Sequence, residues 1–394
     1  MSLTPPAPPD SNLMIYLDNA ATSFPKPESV YVAMDRFART SLANPGRSGH
    51  KMALESEHAL SDARHRLNRF FNGRDADRWA FTLNCTDALN MAFKGVLNDG
   101  DHVITTDLEH NSVSRPLVAL AQANRITLTR VPADAGGTID PEAIRAAIGP
   151  KTRLIAMTHA SNVLGTVQPI ADVGRIAREH DLLFLVDAAQ TAGAFPLDIQ
   201  AANIDLLAFP GHKSLLGPTG SGALFVGPRA TLRPWREGGT GGDSLTPTQP
   251  TDFPHHLEGG TPNVLGVVGL VAGLDFVEEK GVEAIHRHEQ ALCERLRAAL
   301  VELPGFELFG HADPARRVSA LSFRCEVLAA PELAGLLDQS FSIAVRPGLH
   351  CAPYIHKAFG TAPDGLVRVS PGAFNTEADI DHLVDALKQI TGTV

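Results

Sequence analysis

The chain has 394 residues, of which 44% are hydrophobic and 20% are charged. This composition allows two domains with sizeable cores and excludes global disorder. Lys and Arg number 34 against 44 Asp and Glu, a net charge of -10, and there is no long basic run. The balance argues against binding to nucleic acid or to an anionic membrane, and the apolar runs fall short of the ~18 residues of a membrane-spanning helix.

The first 13 residues are rich in proline and contain neither the basic nor the apolar part of a secretory signal, so we predict a flexible leader. The four cysteines lie far apart and form no CxxC pair, and the 16 histidines show no ligand spacing such as HExxH. We therefore expect no disulfide framework, no metal site, and a cytoplasmic protein with reduced thiols.

From about residue 80 to residue 230, short apolar strands alternate with segments of helical periodicity, including residues 86–97 and 169–180. This pattern is typical of an α/β protein with a doubly wound, mostly parallel sheet whose two faces are covered by helices. The strands are predicted at residues 79–83, 102–106, 126–131, 153–158, 182–186, 206–209 and 222–226.

The stretch 236–263 is rich in Gly, Pro and Thr. We interpret it as an ordered active-site or interface loop, because long loops inside globular chains are often functional. One long helical stretch, 264–303, follows it. Mixed short elements come after that and indicate an α+β unit. They are strands at residues 317–323, 342–345 and 366–369, and helices at residues 331–337 and 377–390.

We therefore predict two domains. The large domain spans residues 14–262, and its first residues are expected to pack with the smaller domain. The small C-terminal α+β domain spans residues 263–394 and carries the loop that contains Cys351.

Polar residues recur at or just beyond the carboxyl ends of the predicted strands, which is where ligands bind in open α/β sheets. Taken alone, each has an ordinary structural role, such as a helix cap or a solvated side chain. Their recurrence favours a functional site, and a hydroxyl at a helix N-terminus is suited to an anion. The residues are Thr86, Asp87, His110, Asn162, Asp187, His212 and Lys213.

These clusters resemble those of the cysteine desulfurase and selenocysteine lyase family, within the class V, fold-type I group of pyridoxal 5'-phosphate (PLP) enzymes. The resemblance runs from Tyr16 to about Ile380 and implies a large, mostly parallel-sheet domain with a smaller α+β C-terminal domain. It also implies PLP as cofactor and L-cysteine or selenocysteine as substrate. The motifs, in order, are LDNAAT, EHNS, SNVLGT, VDAAQ, GHK with GPTGSG, GGTPN, RPGLHCAP and RVSPGAFNT.

The resemblance implies roles around the cofactor ring. Lys213 would hold PLP covalently and would move the substrate's Cα proton. Asp187 would pair with the ring nitrogen. Gln190 would hydrogen-bond to the phenolic oxygen, with Asn162 nearby, and His110 would stack on the ring.

The resemblance likewise implies how the phosphate is held. Thr86 and Asp87, at one helix N-terminus, and His212 would bind it within the subunit. Thr261, in GGTPN, would reach the phosphate of the neighbouring subunit, which implies a homodimer.

Substrate and sulfur transfer are assigned to the last motifs. Arg368 would clamp the substrate carboxylate, assisted by Asn162 and Arg346, because a planar guanidinium matches a carboxylate. Cys351 has positively charged neighbours that favour thiolate, although a cysteine taken alone is more often a small buried hydrophobe. The resemblance implies that Cys351 takes the substrate's sulfur as a persulfide and passes it to an acceptor protein. We expect Cys85, Cys293 and Cys325 to be structural.

Two positions depart from the family pattern. Pro210 stands where many relatives carry a hydroxyl residue, so cofactor binding would depend more on other groups. Leu349 stands where many desulfurases have a second histidine, which puts the turnover rate in doubt. Two alternatives stay open: a related PLP lyase or aminotransferase in which Cys351 is structural, and an inactive scaffold for a sulfur-transfer partner.

Overall fold

The computed structural model describes residues 14–46, 49–241 and 245–392. The predicted leader, residues 1–13, lies outside the described residues. The strands are β1 (Ile15–Tyr16), β2 (Trp79–Thr82), β3 (Asp101–Thr106), β4 (Ile126–Val131), β5 (Thr152–Thr158), β6 (Leu183–Asp187), β7 (Leu206–Pro210), β8 (Gly222–Val226), β9 (Phe306–Phe309), β10 (Leu321–Cys325), β11 (Ile343–Ala344), β12 (Arg346–Gly348) and β13 (Leu366–Val369).

Helices surround these strands. They are α1 (Glu28–Thr40), α2 (Lys51–Phe70), α3 (Cys85–Val96), α4 (Asn111–Gln122), α5 (Pro141–Ala146), α6 (Ile170–Glu179), α7 (Val264–Lys280), α8 (Val282–Glu302), α9 (Ala330–Phe341), α10 (Pro353–Ala358) and α11 (Glu377–Thr391).

The large sheet has seven strands in the order β2-β8-β7-β6-β5-β3-β4. The pairs among β4, β3, β5, β6 and β7 are parallel, whereas β8 runs antiparallel to both of its neighbours. Strands β6, β7 and β8 are buried along their whole length, because helices cover both faces. The sheet is therefore mostly parallel, as the sequence predicted.

Side chains alternate between the two faces of this sheet and so build two separate cores. On β6, Phe184 joins one core and Leu185 joins the other. On β7, Phe209 and Ala208 divide in the same way. The alternation leaves only the strand ends free to carry polar side chains.

A second, four-stranded antiparallel sheet has the order β12-β13-β10-β9. Its core includes Leu321, Val367 and side chains of α8, α9 and α11. Leu17 is buried in the same core, and the short strand β1 pairs in parallel with β11. The first described residues therefore pack against the C-terminal part of the chain.

Three predicted elements differ from the structure. The stretch 264–303 forms two helices, α7 and α8, because Gly281 adopts a φ of 83°, a left-handed conformation that ends a helix. The strand expected at 317–323 begins only at Leu321, after a short 3-10 turn at Pro314–Arg316. The strand expected at 342–345 forms as the shorter β11, and an unpredicted strand of the other sheet, β12, follows it.

Candidate active site

A cavity of about 200 Å³ lies at the carboxyl ends of the parallel strands, where residues of the second sheet come close to them. It collects side chains from points far apart in the sequence. Its lining residues are Ala20, Ala21, Asn84, Cys85, Thr86, His110, Ser112, Thr158, Asn162, Asp187, Ala189, Gln190, Pro210, His212, Lys213, Arg346, His350 and Arg368.

Asp187 is the last residue of β6 and is 2% exposed. Its Oδ1 accepts the backbone N–H of Ala189 at 2.9 Å and the thiol of Cys85 at 3.4 Å. Burial raises the pKa of the carboxyl, and the Ala189 N–H and the charge of Lys213 oppose that rise. Both hydrogen bonds go to Oδ1, so within the described residues Oδ2 has no protein donor and can accept one from a ligand.

Lys213 follows β7 in a turn and brings its amine into the same cavity. Burial lowers the pKa of the amine to about 8, and the positive charge of Arg368 acts in the same direction. The turn is fixed by Ser23, whose hydroxyl donates to the Lys213 carbonyl at 2.8 Å. A lysine with such a lowered pKa has a substantial fraction of uncharged, nucleophilic amine near neutral pH.

The N-terminus of α3 lies at one end of the cavity. Asn84 caps the helix by accepting the backbone N–H of Asp87 at 2.9 Å, and Thr86 is the second residue of the helix. His212 is close by. Its Nδ1 is buried and has no partner among the described residues, and burial lowers the pKa of its ring to about 4. A helix N-terminus with a hydroxyl and a free ring nitrogen suits a phosphate group.

His110 is the N-cap of α4, and its orientation is fixed by Ser112. Nδ1 accepts the backbone N–H of Ser112 at 3.1 Å and lies 2.7 Å from its hydroxyl, which in turn is 2.9 Å from the Thr86 hydroxyl. Burial, with the charge of Lys213 next, lowers the pKa of His110 to about 4. The ring is therefore neutral, and its proton is on Nε2 because Nδ1 acts as an acceptor.

Arg368, on β13, is 1% exposed and brings a buried positive charge to the cavity. It donates to Asp18 Oδ1 at 2.6 Å and to the carbonyl of Asn162 at 2.8 Å. Its Nε is buried and has no acceptor in the described parts of the chain. Burying a guanidinium N–H without an acceptor costs free energy, so this side chain is suited to bind an anion.

Cys351 is exposed and sits in a strained turn at the edge of the cavity. His350 and Cys351 have φ values of 49° and 56°, left-handed for two consecutive residues that are not glycine. Two contacts hold the turn: Asn162 Nδ2 donates to the His350 carbonyl at 2.7 Å, and the Asn111 N–H donates to the Cys351 carbonyl at 2.7 Å. Arg346 Nη2 lies 4.0 Å from the Cys351 sulfur.

Three of the residues proposed from the sequence lie outside this set of described lining residues. They are Asp87, Thr261 and Cys351. Thr261 instead lines a second cavity, of about 750 Å³, together with Arg64 and Glu258. His350, the neighbour of Cys351 in the turn, lines the first cavity, whereas Cys351 does not.

Four further residues of the cavity region have contacts that sequence reasoning did not assign. Asp18 lies in the LDNAAT motif, which the sequence analysis noted without giving it a role. The Ser112 hydroxyl lies within hydrogen-bonding distance of Thr86, at the N-terminus of α3, and of His110, at the N-terminus of α4. His350, which precedes Cys351 in the chain, lines the cavity. Cys85 was expected to be structural, yet it lines the cavity and contacts Asp187. The signal in the sequence was that Asp18, Ser112 and His350 lie inside the quoted motifs and that Cys85 directly precedes Thr86.

Neither a metal centre nor a membrane span is found in the described ranges. No group of three or more His, Cys, Asp or Glu side chains there is arranged to hold a metal ion. Among the same residues, no helix is both long and apolar enough to cross a bilayer.

The cavity fits PLP on four chemical points. The uncharged fraction of Lys213 can bind an aldehyde, and Asp187 can hold a protonated ring nitrogen through Oδ2. His110 is neutral and can lie against an aromatic ring. The orphaned Nδ1 of His212, with Thr86 and the N-terminus of α3, can hold a phosphate.

Known proteins show the same sequence pattern and the same fold. Residues 15–383 match the family model for class-V aminotransferases. A probable cysteine desulfurase of Methanothermobacter thermautotrophicus is 36% identical over 96% of this chain and 95% of its own length. The cysteine desulfurase of Salmonella typhimurium is 33% identical over 96% and 93%.

Two solved structures are similar to the chain. The apo cysteine desulfurase from Thermococcus onnurineus NA1 has a TM-score of 0.91 and 31% identity, and the match covers 97% of this chain and 95% of that one. The cysteine desulfurase CsdA of Escherichia coli, in an S-sulfonic acid form, has a TM-score of 0.86 and 30% identity over the same shares.

The chain therefore belongs to the class-V aminotransferase family, a family of PLP-dependent enzymes with the fold-type I architecture. Within that family, the four relatives described above are all named as cysteine desulfurases, one of them as a probable one. The fold class, the enzyme class and the cofactor predicted from the sequence are confirmed.

Proposed function

We propose that this protein is a cysteine desulfurase that converts L-cysteine to L-alanine and carries the sulfur as a persulfide on Cys351. The observation that carries the proposal is the placement of an exposed cysteine, in a turn held from both sides, at the edge of a cavity that contains Lys213, Asp187 and Arg368. An enzyme that only moved amino groups would have no need for a fixed thiol at that point.

When PLP is bound, it supplies an electron sink that stabilises a carbanion at the substrate's Cα. The protein's part is to hold the ring and to move protons. Asp187 would hold the ring nitrogen through Oδ2, and Gln190 would hydrogen-bond to the phenolic oxygen. Thr86 and His212 would hold the phosphate, with the N-terminus of α3. Lys213 would anchor the cofactor, and its uncharged amine would remove the substrate's Cα proton.

The substrate is held by its carboxylate. Arg368 is fixed by Asp18 and by the Asn162 carbonyl, and its remaining donors bind the carboxylate. Arg346 adds a second positive charge beside the cavity. This arrangement selects an amino acid and orients its side-chain sulfur relative to the turn of Cys351.

Sulfur transfer takes place at Cys351. As the thiolate, Cys351 forms a bond to the substrate sulfur while the carbon–sulfur bond of the substrate breaks. The electron pair stays with the carbon skeleton, which takes up one proton at Cβ, regains one at Cα and leaves as alanine. Arg346 Nη2 lies 4.0 Å from the sulfur and places a positive charge beside it. The persulfide then passes to an acceptor thiol.

We further propose a cytoplasmic homodimer that delivers sulfur to an acceptor protein. The support for the dimer is the second cavity, about 750 Å³, which is lined by Thr261, an exposed residue of the stretch 236–263. In the dimer, Thr261 would bind the phosphate held by the other subunit. Selenocysteine would react by the same steps, with selenium as the transferred atom.

One observation favours a second candidate, a lyase or aminotransferase in which Cys351 is structural: Cys351 is not among the described residues that line the cavity. Alanine formation from L-cysteine, with a thiol reductant and without a 2-oxo acid, separates the two. We expect wild type to form alanine and Cys351→Ala to lose at least nine-tenths of that rate while keeping the cofactor's visible absorption. Equal rates, or a requirement for a 2-oxo acid, would favour the second candidate. Cys325→Ala, which removes a buried thiol elsewhere, is the matched control.

A further inference from the structure

Cys85 is the first residue of α3, 7% exposed, and lies against the buried carboxylate of Asp187. Its sulfur is 3.4 Å from Asp187 Oδ1, and the thiol is the donor in this hydrogen bond. Cys85 also lines the cavity, directly before Thr86. The contact joins the helix end assigned to the phosphate with the carboxylate assigned to the ring nitrogen.

The other hydrogen bond to Asp187 Oδ1 shows how the Cys85 thiol acts on the carboxylate. Oδ1 also accepts the backbone N–H of Ala189 at 2.9 Å, so both donors fix the same oxygen. No described residue donates to Oδ2. The carboxylate of Asp187 is therefore held at one oxygen by a backbone group and a thiol, and the other oxygen is left for a ligand.

We propose that Cys85 is a positioning residue for Asp187, whose thiol holds the carboxylate in its ionised form and directs Oδ2 to the ring nitrogen of PLP. The inference rests on the proposed role of Asp187 in cofactor binding. It assigns to Cys85 a function that does not depend on its own reactivity.

The electrostatics of the pair support this role. Burial raises the pKa of Asp187, so a bare carboxylate here would tend to take the proton from the ring nitrogen. Each donor to Oδ1 opposes that tendency. Burial and the charge of Asp187 raise the pKa of Cys85 well above its usual range, so the sulfur keeps its hydrogen and remains a donor. A hydroxyl at this position would be a stronger donor than a thiol.

The test uses three variants of the cofactor-loaded protein: Cys85→Ala removes the donor, Cys85→Ser replaces it, and Cys293→Ala is the control. Cys293 is also buried, and its sulfur lies 3.7 Å from a hydroxyl, that of Ser319. The primary readout is the nitrogen NMR shift of PLP labelled at the ring nitrogen, which reports where the shared proton resides. The second readout is the dissociation constant of the cofactor.

In Cys85→Ala, we expect the ring-nitrogen signal to move toward the unprotonated form and the cofactor dissociation constant to rise about 3- to 10-fold, the effect of one lost hydrogen bond. Cys85→Ser should keep the signal protonated and bind at least as tightly as wild type, and Cys293→Ala should match wild type. A ring-nitrogen signal in Cys85→Ala equal to that of wild type would overturn the inference. So would an unprotonated ring nitrogen and weaker cofactor binding in Cys85→Ser. If Cys85→Ala does not fold, the comparison of Cys85→Ser with wild type decides.

The outcome also separates this inference from the proposed function. If wild type shows a protonated ring nitrogen and makes alanine but Cys85→Ala changes neither readout, only the role of Cys85 fails. If wild type itself binds PLP with an unprotonated ring nitrogen, the role of Asp187 and the inference fail together.

Discussion

Protonation states in the cavity are set by burial more than by neighbouring charges. Burial is the largest cause of the lowered pKa of His110, His212 and His350, to about 4, 4 and 3. These rings are neutral at physiological pH and can donate or accept one hydrogen bond without adding charge. The same burial brings the pKa of Lys213 to about 8.

The first prediction concerns the pH dependence of cofactor attachment to Lys213. A lysine whose pKa is lowered reaches its uncharged form at lower pH. We therefore expect the rate of PLP attachment to the cofactor-free protein to rise about tenfold per pH unit below pH 8 and to level off above it. The rate can be measured by borohydride trapping and quantification of the Lys213 peptide. A rate that continues to rise toward pH 10.5, the ordinary value for lysine, would contradict the burial of this amine.

At the scale of elements, the position of the turn that contains Cys351 depends on a close contact between the end of β12 and Gly365, the residue before β13. Gly365 has a φ of 77°, and a Cβ there would overlap the backbone of Gly348, at the end of β12. Only glycine allows this close approach. Because β12 leads directly into Leu349, His350 and Cys351, a displacement of Gly348 moves the proposed nucleophile.

The second prediction follows from that contact. We expect Gly365→Ala to slow sulfur transfer at Cys351 about tenfold or more, since small misplacements of reacting groups reduce rates strongly. Cofactor absorption should be retained, because the residues proposed to bind PLP lie on other elements. The measurement is the rate of persulfide formation in a single turnover.

Gly360→Ala is the matched control for this prediction. Gly360 also has a positive φ, 65°, but a Cβ there would meet nothing within 4 Å. It should lose about 1 kcal/mol of unfolding free energy from backbone strain and keep the transfer rate. Equal transfer rates in the two variants would show that β12 does not position Cys351.

The elements also show what could be predicted from the sequence. The buried parallel strands were predicted within one or two residues, because strands covered on both faces are nearly continuous apolar runs. The break between α7 and α8 was missed because the apolar and helical pattern continues through Gly281, and only its φ ends the helix. The strand β9 was missed because its side chains are only partly buried and give a weak pattern.

From the sequence, only those residues of the candidate site could be predicted that follow a strand or belong to a motif. Asp187 and Lys213 follow apolar strands, so topology alone brings them to one edge of the sheet. The contacts of Asn162 with the His350 carbonyl and of Cys85 with Asp187 join residues 188 and 102 positions apart. No local pattern reports such a contact, so the roles of His350 and Cys85 could not be read from the sequence.

At the scale of the whole molecule, the third prediction concerns the homodimer. If Thr261 binds the phosphate of the other subunit, a mixed dimer of Lys213→Ala and Thr261→Val subunits contains one complete site. That site combines the intact Lys213 of one subunit with the intact Thr261 of the other. We expect mixed dimers to recover wild-type cofactor affinity in half of the sites, whereas Thr261→Val alone binds more weakly.

The measurement is a cofactor titration of co-expressed, differently tagged subunits, purified by both tags. A Thr261 that acts within its own subunit would leave every site of the mixed dimer defective. Light scattering gives the control on assembly: the particle mass should be twice the 42.0 kDa of the chain.

The central claim is that Cys351 receives sulfur from L-cysteine, and the most direct test is the mass of the Cys351 peptide after one turnover. Cofactor-loaded protein would be mixed with L-cysteine in equal amount, quenched with an alkylating reagent and digested. We predict one added sulfur atom on Cys351 and one alanine released per site. Alanine released without added sulfur on Cys351, at a rate unchanged in Cys351→Ala, would contradict the account.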